Sequence, residues 1–495
     1  MTSAHDRHVL LHRLNVNPPQ PMASPLLSPT TEALTKPRIT LLATCKKCFP
    51  PISLPVIFFA LVIGLGGALL HHPISTTATR ITWTDALFTA TSAVCVTGLA
   101  VVDTGTYFSR FGQNVILALI QLGGLGIMTF TSVAFYLWRR RISITDQIAV
   151  GQSLMTNQGM GLIHFLKRML LWTFAIEMLG ALSIYLSAPA GISAYAAVFH
   201  AISAFCNAGF SLYPDNLIGW QGAWLANLSV MGLIIAGGIG FSVLIELGAL
   251  FPTTVAPRKK KRRLRLSWQT SIVLRATAWL IGTGWAAIFV AEYLSANNRA
   301  NLSVSALTAL FQSVTCRTAG FNTVDVGQMT TISLLVMLIL MFIGAGPGSC
   351  AGGIKVTTFS VLWHFIKAQF KGRAQTVIGH FAVSQEAINK ALLLVVFEGM
   401  ILFVATVIMT ISEGGDAPHP FTRGLLLEVL FEEISAIGTV GLSMGMTAKL
   451  SMLGKWIITL LMFIGRLGPL VFLAVIQEIR REQFFKWPEE TIQIG

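Results

Sequence analysis

Long apolar runs alternate along the chain with shorter stretches that are too polar to cross a membrane and too apolar for ordinary loops. The apolar runs fall near positions 52–70, 114–138, 167–187, 223–251, 270–294, 331–370, 391–411 and 452–479. An α-helix needs about 20 such residues to cross a bilayer, so the pattern predicts eight spans. The sixth run is interrupted by Gly344-Ala-Gly-Pro-Gly-Ser-Cys-Ala-Gly-Gly353. The intermediate stretches recur. The first runs from Phe88 through Ser92, Val96-Thr-Gly98 and on to Asp103, and the second from Phe199 through Ser203, Asn207-Ala-Gly209 and on to Asp215. The third runs from Leu310 through Thr318-Ala-Gly320 to Asp325, and the fourth from Phe431 through Ser435 to Thr439-Val-Gly441. Their glycines are spaced by 111, 111 and 121 residues, and each is followed by Leu or Phe. A period that regular marks one structural unit used four times.

The recurrent stretches carry a chemistry. An ion leaving water needs oxygens to replace its hydration shell, and rings of backbone carbonyls supply them. Carbonyls converge on one axis only where some residues take unusual backbone angles, which glycine does at least steric cost. The candidate filter is therefore Val96, Thr97 and Gly98; Asn207, Ala208 and Gly209; Thr318, Ala319 and Gly320; Thr439, Val440 and Gly441. The side chains of Thr97, Asn207, Thr318 and Thr439 either face the ion or brace the loop from behind. The competing reading, small-residue turns capping buried helices, does not account for recurrence in register. The third stretch departs from the others. Aligned on Gly320 without gaps it has Leu310 and Val314 where Phe and Ser are expected, whereas a shift of one residue restores Phe311 and Thr315.

Composition narrows the class. The 495 residues are 54% hydrophobic and 11% charged, against roughly 25% charged in soluble domains, which predicts an all-α polytopic membrane protein. The formal charge of +14 raises nucleic acid as a partner, but the basic residues lie between spans, where positive-inside topology is the simpler cause. Of 35 Lys and Arg, 25 fall in segments assigned to the cytoplasm and 6, Arg317 among them, in outer segments. Both termini are thus expected inside the cytoplasmic membrane, with all four loops entering from outside. The run Arg258–Arg265 reads as an orientation signal or as a docking site for acidic lipid or protein. Residues 1–50, rich in Pro, Ser and Thr with scattered bases, predict a disordered cytoplasmic tail without a secretory signal. The expected units are 51–141, 142–265, 266–373 and 374–495. Six cysteines make no disulfide framework, and the Cys45–Cys48 pair is weak evidence for metal or redox chemistry.

Four span–loop–span units in one chain, with Gly123-Gly-Leu-Gly-Ile127, Gly237-Gly-Ile-Gly-Phe241 and Arg317-Thr-Ala-Gly-Phe-Asn322 beside the loops, resemble the Trk/Ktr/HKT superfamily of potassium transporters. The resemblance covers roughly residues 52–480 and is nearest the membrane subunits of bacterial Ktr systems. It implies potassium uptake through a central pseudo-four-fold pore and a homodimer. It also implies control by a cytosolic RCK-type nucleotide-binding ring of the KtrA/TrkA kind. Members with serine at the first filter position tend to favour sodium, so Gly98 argues for potassium. The family has an intramembrane loop where this chain has 344–353, which implies a gate of Gly344, Gly346, Gly348, Ser349, Gly352 and Gly353.

The charges inside the spans remain to be placed. A cation there is costly and by default functional. Arg466 and Lys355 either repel cations in the pore or pair with carbonyls of the glycine-rich loop, or, for Arg466, with an acid such as Glu398. Glu177, Glu246 and Arg275 read as structural ion pairs or membrane-end residues. Asp103, Asp215 and Asp325 either concentrate cations at the outer mouth or cap helices, with Glu432 and Glu433 as substitutes in the fourth unit. Parallel units with a re-entrant loop in each favour a pore over a sodium- or proton-coupled transporter with alternating access, which uses inverted repeats and broken helices. No spaced nucleophile, acid–base pair or metal motif lies on the spans, so no enzymatic activity is expected. The glycine-rich runs do not follow strands, so no nucleotide or other cofactor is expected on this chain, and potassium is the transported ion.

Overall fold

The computed structural model describes residues 54–137, 162–248, 266–295 and 301–468, apart from 78, 189, 190, 416, 417, 419 and 421. The expected tail, the Cys45–Cys48 pair, the Arg258–Arg265 run, the last part of the eighth apolar run and the expected cytoplasmic end lie outside them.

Helices dominate, in an order that recurs. A long helix α1 (Leu54–His71) is followed by a half-length α2 (Trp83–Val94) and a long α3 (Arg110–Leu137). Next come α4 (Leu162–Ser187), the half-length α5 (Ala194–Phe205), and a pair α6 (Trp224–Gly238) and α7 (Phe241–Gly248). The third group is α8 (Trp268–Tyr293), the half-length α9 (Leu302–Thr315), α10 (Thr331–Phe342) and α11 (Val356–Phe370). After a two-stranded hairpin, β1 (Val377–Ile378) and β2 (Phe381–Ala382), the last group is α12 (Gln385–Gly414), the half-length α13 (Leu425–Ile437) and α14 (Met452–Leu467).

Helix starts follow local chemistry. The hydroxyls of Thr82, Ser193, Ser267 and Ser451 accept from the backbone N–H three residues on, at 3.1, 3.1, 3.2 and 3.1 Å, which satisfies amides the helix itself leaves unpaired. Side chains on the far faces are apolar and exposed, as at Leu171, Leu179 and Leu186 of α4 and Val396, Phe403 and Ile411 of α12. Among the described residues Lys167–Ser187, Trp268–Tyr293 and Gln385–Gly414 are each long and apolar enough to cross a membrane, and α6 with α7 makes a fourth span if counted together. Pro55–His71 and Thr331–Phe342, which fall in two further apolar runs, are shorter among the described residues.

The fourth expected span, 223–251, is not continuous. Helices α6 and α7 meet at 106° around Ile239 and Gly240. Gly240 has φ +96°, and a methyl group there would stand 2.6 Å from the Pro347 carbonyl oxygen. The bend frees backbone groups that lipid cannot satisfy, and the glycine-rich connection between α10 and α11 takes them. Gly346 N–H donates to the Gly238 carbonyl (2.9 Å), Cys350 N–H to that of Gly237 (3.3 Å), and Phe241 N–H to that of Gly348 (3.0 Å). The expected break in the sixth apolar run is present, between Phe342 and Val356.

The groups interlock in cyclic order: α3 packs on α5, α6 on α9, α10 on α13, and α14 on α2. The last junction carries an ion pair, Lys455 Nζ to Asp85 Oδ1 at 2.7 Å. With apolar surroundings on both sides, association of such helices relies on close packing and small residues. A methyl group on Gly123, Gly237 or Gly465 would overlap the carbonyl oxygen of Val94, Phe205 or Ile437, each near the end of the half-length helix in its own group. Gly237→Ala is therefore expected to destabilise the fold by about 1–3 kcal/mol of overpacking, measured as a lower midpoint in thermal unfolding in detergent. An unchanged midpoint would show that this contact relaxes freely.

Candidate functional site

The half-length helices α2, α5, α9 and α13 all point their C-terminal ends at one place, and the four candidate filter stretches follow directly. In each, the residue two before the glycine is left-handed: φ is +56° at Val96, +60° at Asn207, +74° at Thr318 and +50° at Thr439. The glycines themselves have φ of +97°, +69°, +77° and +91° at Gly98, Gly209, Gly320 and Gly441. Three of the four non-glycine residues are β-branched, for which positive φ is a genuine outlier. Strain of this kind persists where surrounding structure enforces it, and it clusters at functional sites. The composition of the stretches gives no hint of it.

The stretches close on one another. A methyl group on Gly98 would meet the Ala208 carbonyl oxygen, one on Gly209 that of Ala319, one on Gly320 that of Val440, and one on Gly441 that of Thr97. Each glycine thus faces the carbonyl of the residue before the next glycine, in a ring that returns to its start. All twelve expected residues are brought together.

Side chains behind the ring hold it. Ser92 and Ser435 accept from the N–H of Gly98 and Gly441 at 3.1 and 3.0 Å, while Ser203 and Thr315 donate to the carbonyls of Phe210 and Phe321 at 2.8 and 2.6 Å. Thr315 fills the position the three serines hold elsewhere, and Phe311 is fully buried like Phe88, Phe199 and Phe431. The one-residue shift is therefore the register the third stretch adopts, with one residue fewer between Thr315 and Gly320 than between each serine and its glycine. The amide nitrogen of Asn207 faces the carbonyls of Ile234 (3.1 Å) and Ala204 (3.0 Å), leaving its oxygen 3.4 Å from the Thr318 hydroxyl. For Asn207, Thr318 and Thr439 the bracing role is the one observed.

Thr439 also reaches the glycine-rich loop, its hydroxyl accepting from Gly352 N–H at 3.0 Å. Gly353 packs on Gly438, and Ser349 donates to the Gly346 carbonyl at 2.7 Å. Arg466, 4% exposed, donates from Nη1 to the Cys350 carbonyl and from Nη2 to that of Gly123. The loop is thereby tied to the second, fourth and first groups. Gly344 sits at its root, against the Gly352 carbonyl. Lys355 Nζ donates to the carbonyls of Ala351 (2.6 Å) and Gly352 (3.2 Å). Both cations pair with loop carbonyls. Glu398, weighed as a partner for Arg466, is fully buried with neither oxygen hydrogen-bonded.

Of the other acids, Asp103 and Asp325 take the capping alternative, whereas Glu432 and Glu433 do not lie at a mouth. Among the described residues Glu177 and Glu246 form no ion pair: Gln121 donates to Glu177 at 3.1 Å, and Ser267 Oγ to Glu246 at 2.9 Å. Arg275 is exposed. Asp103 and Asp325 cap short turns, accepting from Thr106 N–H (2.7 Å) and Gly327 N–H (3.0 Å), while Asp215 is exposed. Glu432 and Glu433 are buried rather than at a mouth. Glu432 accepts from Ser443 and, at 2.9 Å, from Thr447, and Glu433 accepts from Thr406 at 2.5 Å. Arg317, placed by the charge count with the outer segments, is 4% exposed behind Thr318. Its place in Arg317-Thr-Ala-Gly was the one available signal.

The profile of the cation transport protein family TrkH matches residues 54–485. The chain belongs to this family. It is 42% identical to the Ktr system potassium uptake protein B of Bacillus subtilis over 90% of this chain and 97% of that one. It is 34% identical to the potassium/sodium uptake protein NtpJ of Enterococcus hirae over 91% of this chain and 98% of that one. The fold matches the crystal structure of the potassium transporter TrkH from Vibrio parahaemolyticus with TM-score 0.69, 18% identity, and coverage of 87% of this chain and 86% of that one. The membership bears out the superfamily resemblance and makes the chain a membrane cation transport protein.

The Arg466 clamp has a direct test. Arg466→Met removes two charged donors, each worth roughly 1.5–3 kcal/mol. Amide hydrogen exchange over 344–353 is expected to accelerate about tenfold or more in the variant, and unchanged protection there would remove Arg466 as the clamp.

Proposed function

We propose that this chain is a potassium-selective uptake subunit that works as a channel-like pore. The observation that carries the proposal is the closed ring in which each of four glycines faces the carbonyl of the next loop. In this reading the two left-handed residues of every loop turn carbonyls toward the centre of the ring, the ligand set a dehydrated cation needs. The four interlocked groups form a pseudo-four-fold pore of eight spans around that ring. Hard oxygen ligands suit alkali cations, and the names of the curated relatives, potassium uptake in one and potassium/sodium uptake in another, support potassium as the ion.

The loop 344–353 is the gate in this reading. Its bonds to the second and fourth groups, and the Arg466 bridge from Cys350 to Gly123 of the first, support that reading, with Arg466 and Lys355 adding positive charge beside the loop. Release requires Arg466, Thr439 and the bent α6–α7 helix to give up the loop's backbone groups. A cytosolic nucleotide-binding ring would supply the work, in keeping with the relatives' designation as parts of a Ktr system. Both termini face the cytoplasm, and two such chains form the transporting unit.

Cation uptake into liposomes holding the full chain, under an imposed voltage, tests the proposal. Potassium and rubidium flux should follow voltage with no sodium or proton gradient; a requirement for either gradient would make the chain a coupled transporter. Gly98→Ser places a side chain against Ala208 and Gly209 and is expected to lower potassium-over-sodium discrimination by about tenfold, ~1.4 kcal/mol. Unaltered discrimination would take Gly98 out of the filter. Shortening 345–352 is expected to raise potassium flux severalfold, and flux equal to the parent's would end the gating role.

A further inference from the structure

We propose that Glu398 is a positioning residue for the glycine-rich loop: its carboxylate receives Lys355 when the loop leaves the place it holds here. Glu398 lies on α12 with no exposed surface, and neither of its oxygens has a hydrogen-bond partner among the described residues. Such a group is rare in a folded protein, since burial removes the water that would otherwise meet it. Helix α12 packs on α11, and Lys355 is the residue from which α11 starts. Lys355 is also the cation that acts electrostatically on Glu398. In the present arrangement its ammonium is held by the carbonyls of Ala351 (2.6 Å) and Gly352 (3.2 Å). The ion pairs among the described residues are Lys390–Glu386 and Lys455–Asp85, so Lys355 and Glu398 are not yet joined.

The charges around these two groups give the arrangement a direction. Arg466, from α14, repels Lys355, and Glu398 attracts it. Arg466 is itself bonded to the Cys350 carbonyl of the same loop. The loop thus holds two like charges, while an acid within electrostatic reach of one of them stands without a donor. A lysine ammonium is a compact charge on a flexible four-carbon stem with three donors, which suits it to trading carbonyls for a carboxylate. Leaving one member of a buried ion pair alone is strongly destabilising, and pairing meets the demand of both. Glu398 offers nothing to the loop in its present place and an ion pair once Lys355 lets go. It therefore favours the released loop. Water beside the carboxyl is the competing account, and it would satisfy Glu398 with no consequence for the loop.

Amide hydrogen exchange over 344–353, in the full chain in detergent, reads this handover without reference to ions. In Glu398→Gln the released form loses its ion pair, and exchange there is expected to slow about fivefold or more. Lys355→Met removes the carbonyl bonds and speeds exchange. Adding Glu398→Gln to it should change nothing further, because the partner is gone. Equal or faster exchange in Glu398→Gln, or the same slowing with and without Lys355, would overturn the proposal. If Glu398→Gln does not fold, Glu398→Met is measured in the same way. Its unfolding midpoint should equal or exceed the parent's, since an apolar group replaces a buried one that has no partner. A lower midpoint would make Glu398 a brace of the fold and end the proposal. In liposomes, voltage-driven rubidium uptake by Glu398→Gln is expected to fall about fivefold. This last measurement rests on the loop being the gate of a potassium pore. Slower hydrogen exchange with uptake equal to the parent's would support the handover and remove the gating reading instead.

Discussion

No water is available at membrane depth to satisfy a backbone amide or carbonyl, so each must find a partner inside the protein. Much of this structure follows from that constraint. Half-length helices end inside the fold, and their last carbonyls and the loops beyond them are met by Ser92, Ser203, Thr315, Ser435 and the next loop in the ring. Where α6 and α7 break, the glycine-rich loop supplies the missing partners. Where that loop runs short of partners, Arg466 and Lys355 provide donors.

Gating, in the proposed function, is an exchange of those bonds. The loop cannot leave its position while the carbonyls of Gly237, Gly238 and Cys350 lack substitutes, so a closed state is locally well paired. Water entering a conducting pore would supply alternative partners for the released groups. The bend at Gly240 belongs to the same element as the loop in this sense, since each satisfies the other. Thr439 joins the ring to the loop through a single hydroxyl.

Much of the site was legible from residue types. Glycine at a fixed place in four stretches, with Ser or Thr and Phe before it, marks a repeated turn whatever the tertiary context, and Gly344–Gly353 cannot continue a helix. The one-residue shift in the third stretch was visible as Phe311 and Thr315, although choosing it took the buried positions of both. Other features left no local trace. The Gly238–Gly240 bend reads as part of an apolar span, because glycines are tolerated in such a helix unless something competes for its backbone. The competitor, 108 residues away between Gly238 and Gly346, is absent from any local window.

The sequence by itself determined the number and order of apolar runs, the four recurrent stretches proposed as a filter, the loop and the family resemblance. These depend on hydrophobic period, on glycine and on spacing, all of which are local. Only the tertiary structure decided the surroundings: carbonyls rather than Glu398 for Arg466, neutral donors among the described residues for Glu177 and Glu246, and burial for Arg317. The positive φ of Val96, Thr318 and Thr439 belongs with these. A charge or a strained dihedral is stabilised by whatever distant chain is brought against it, and that is set by packing.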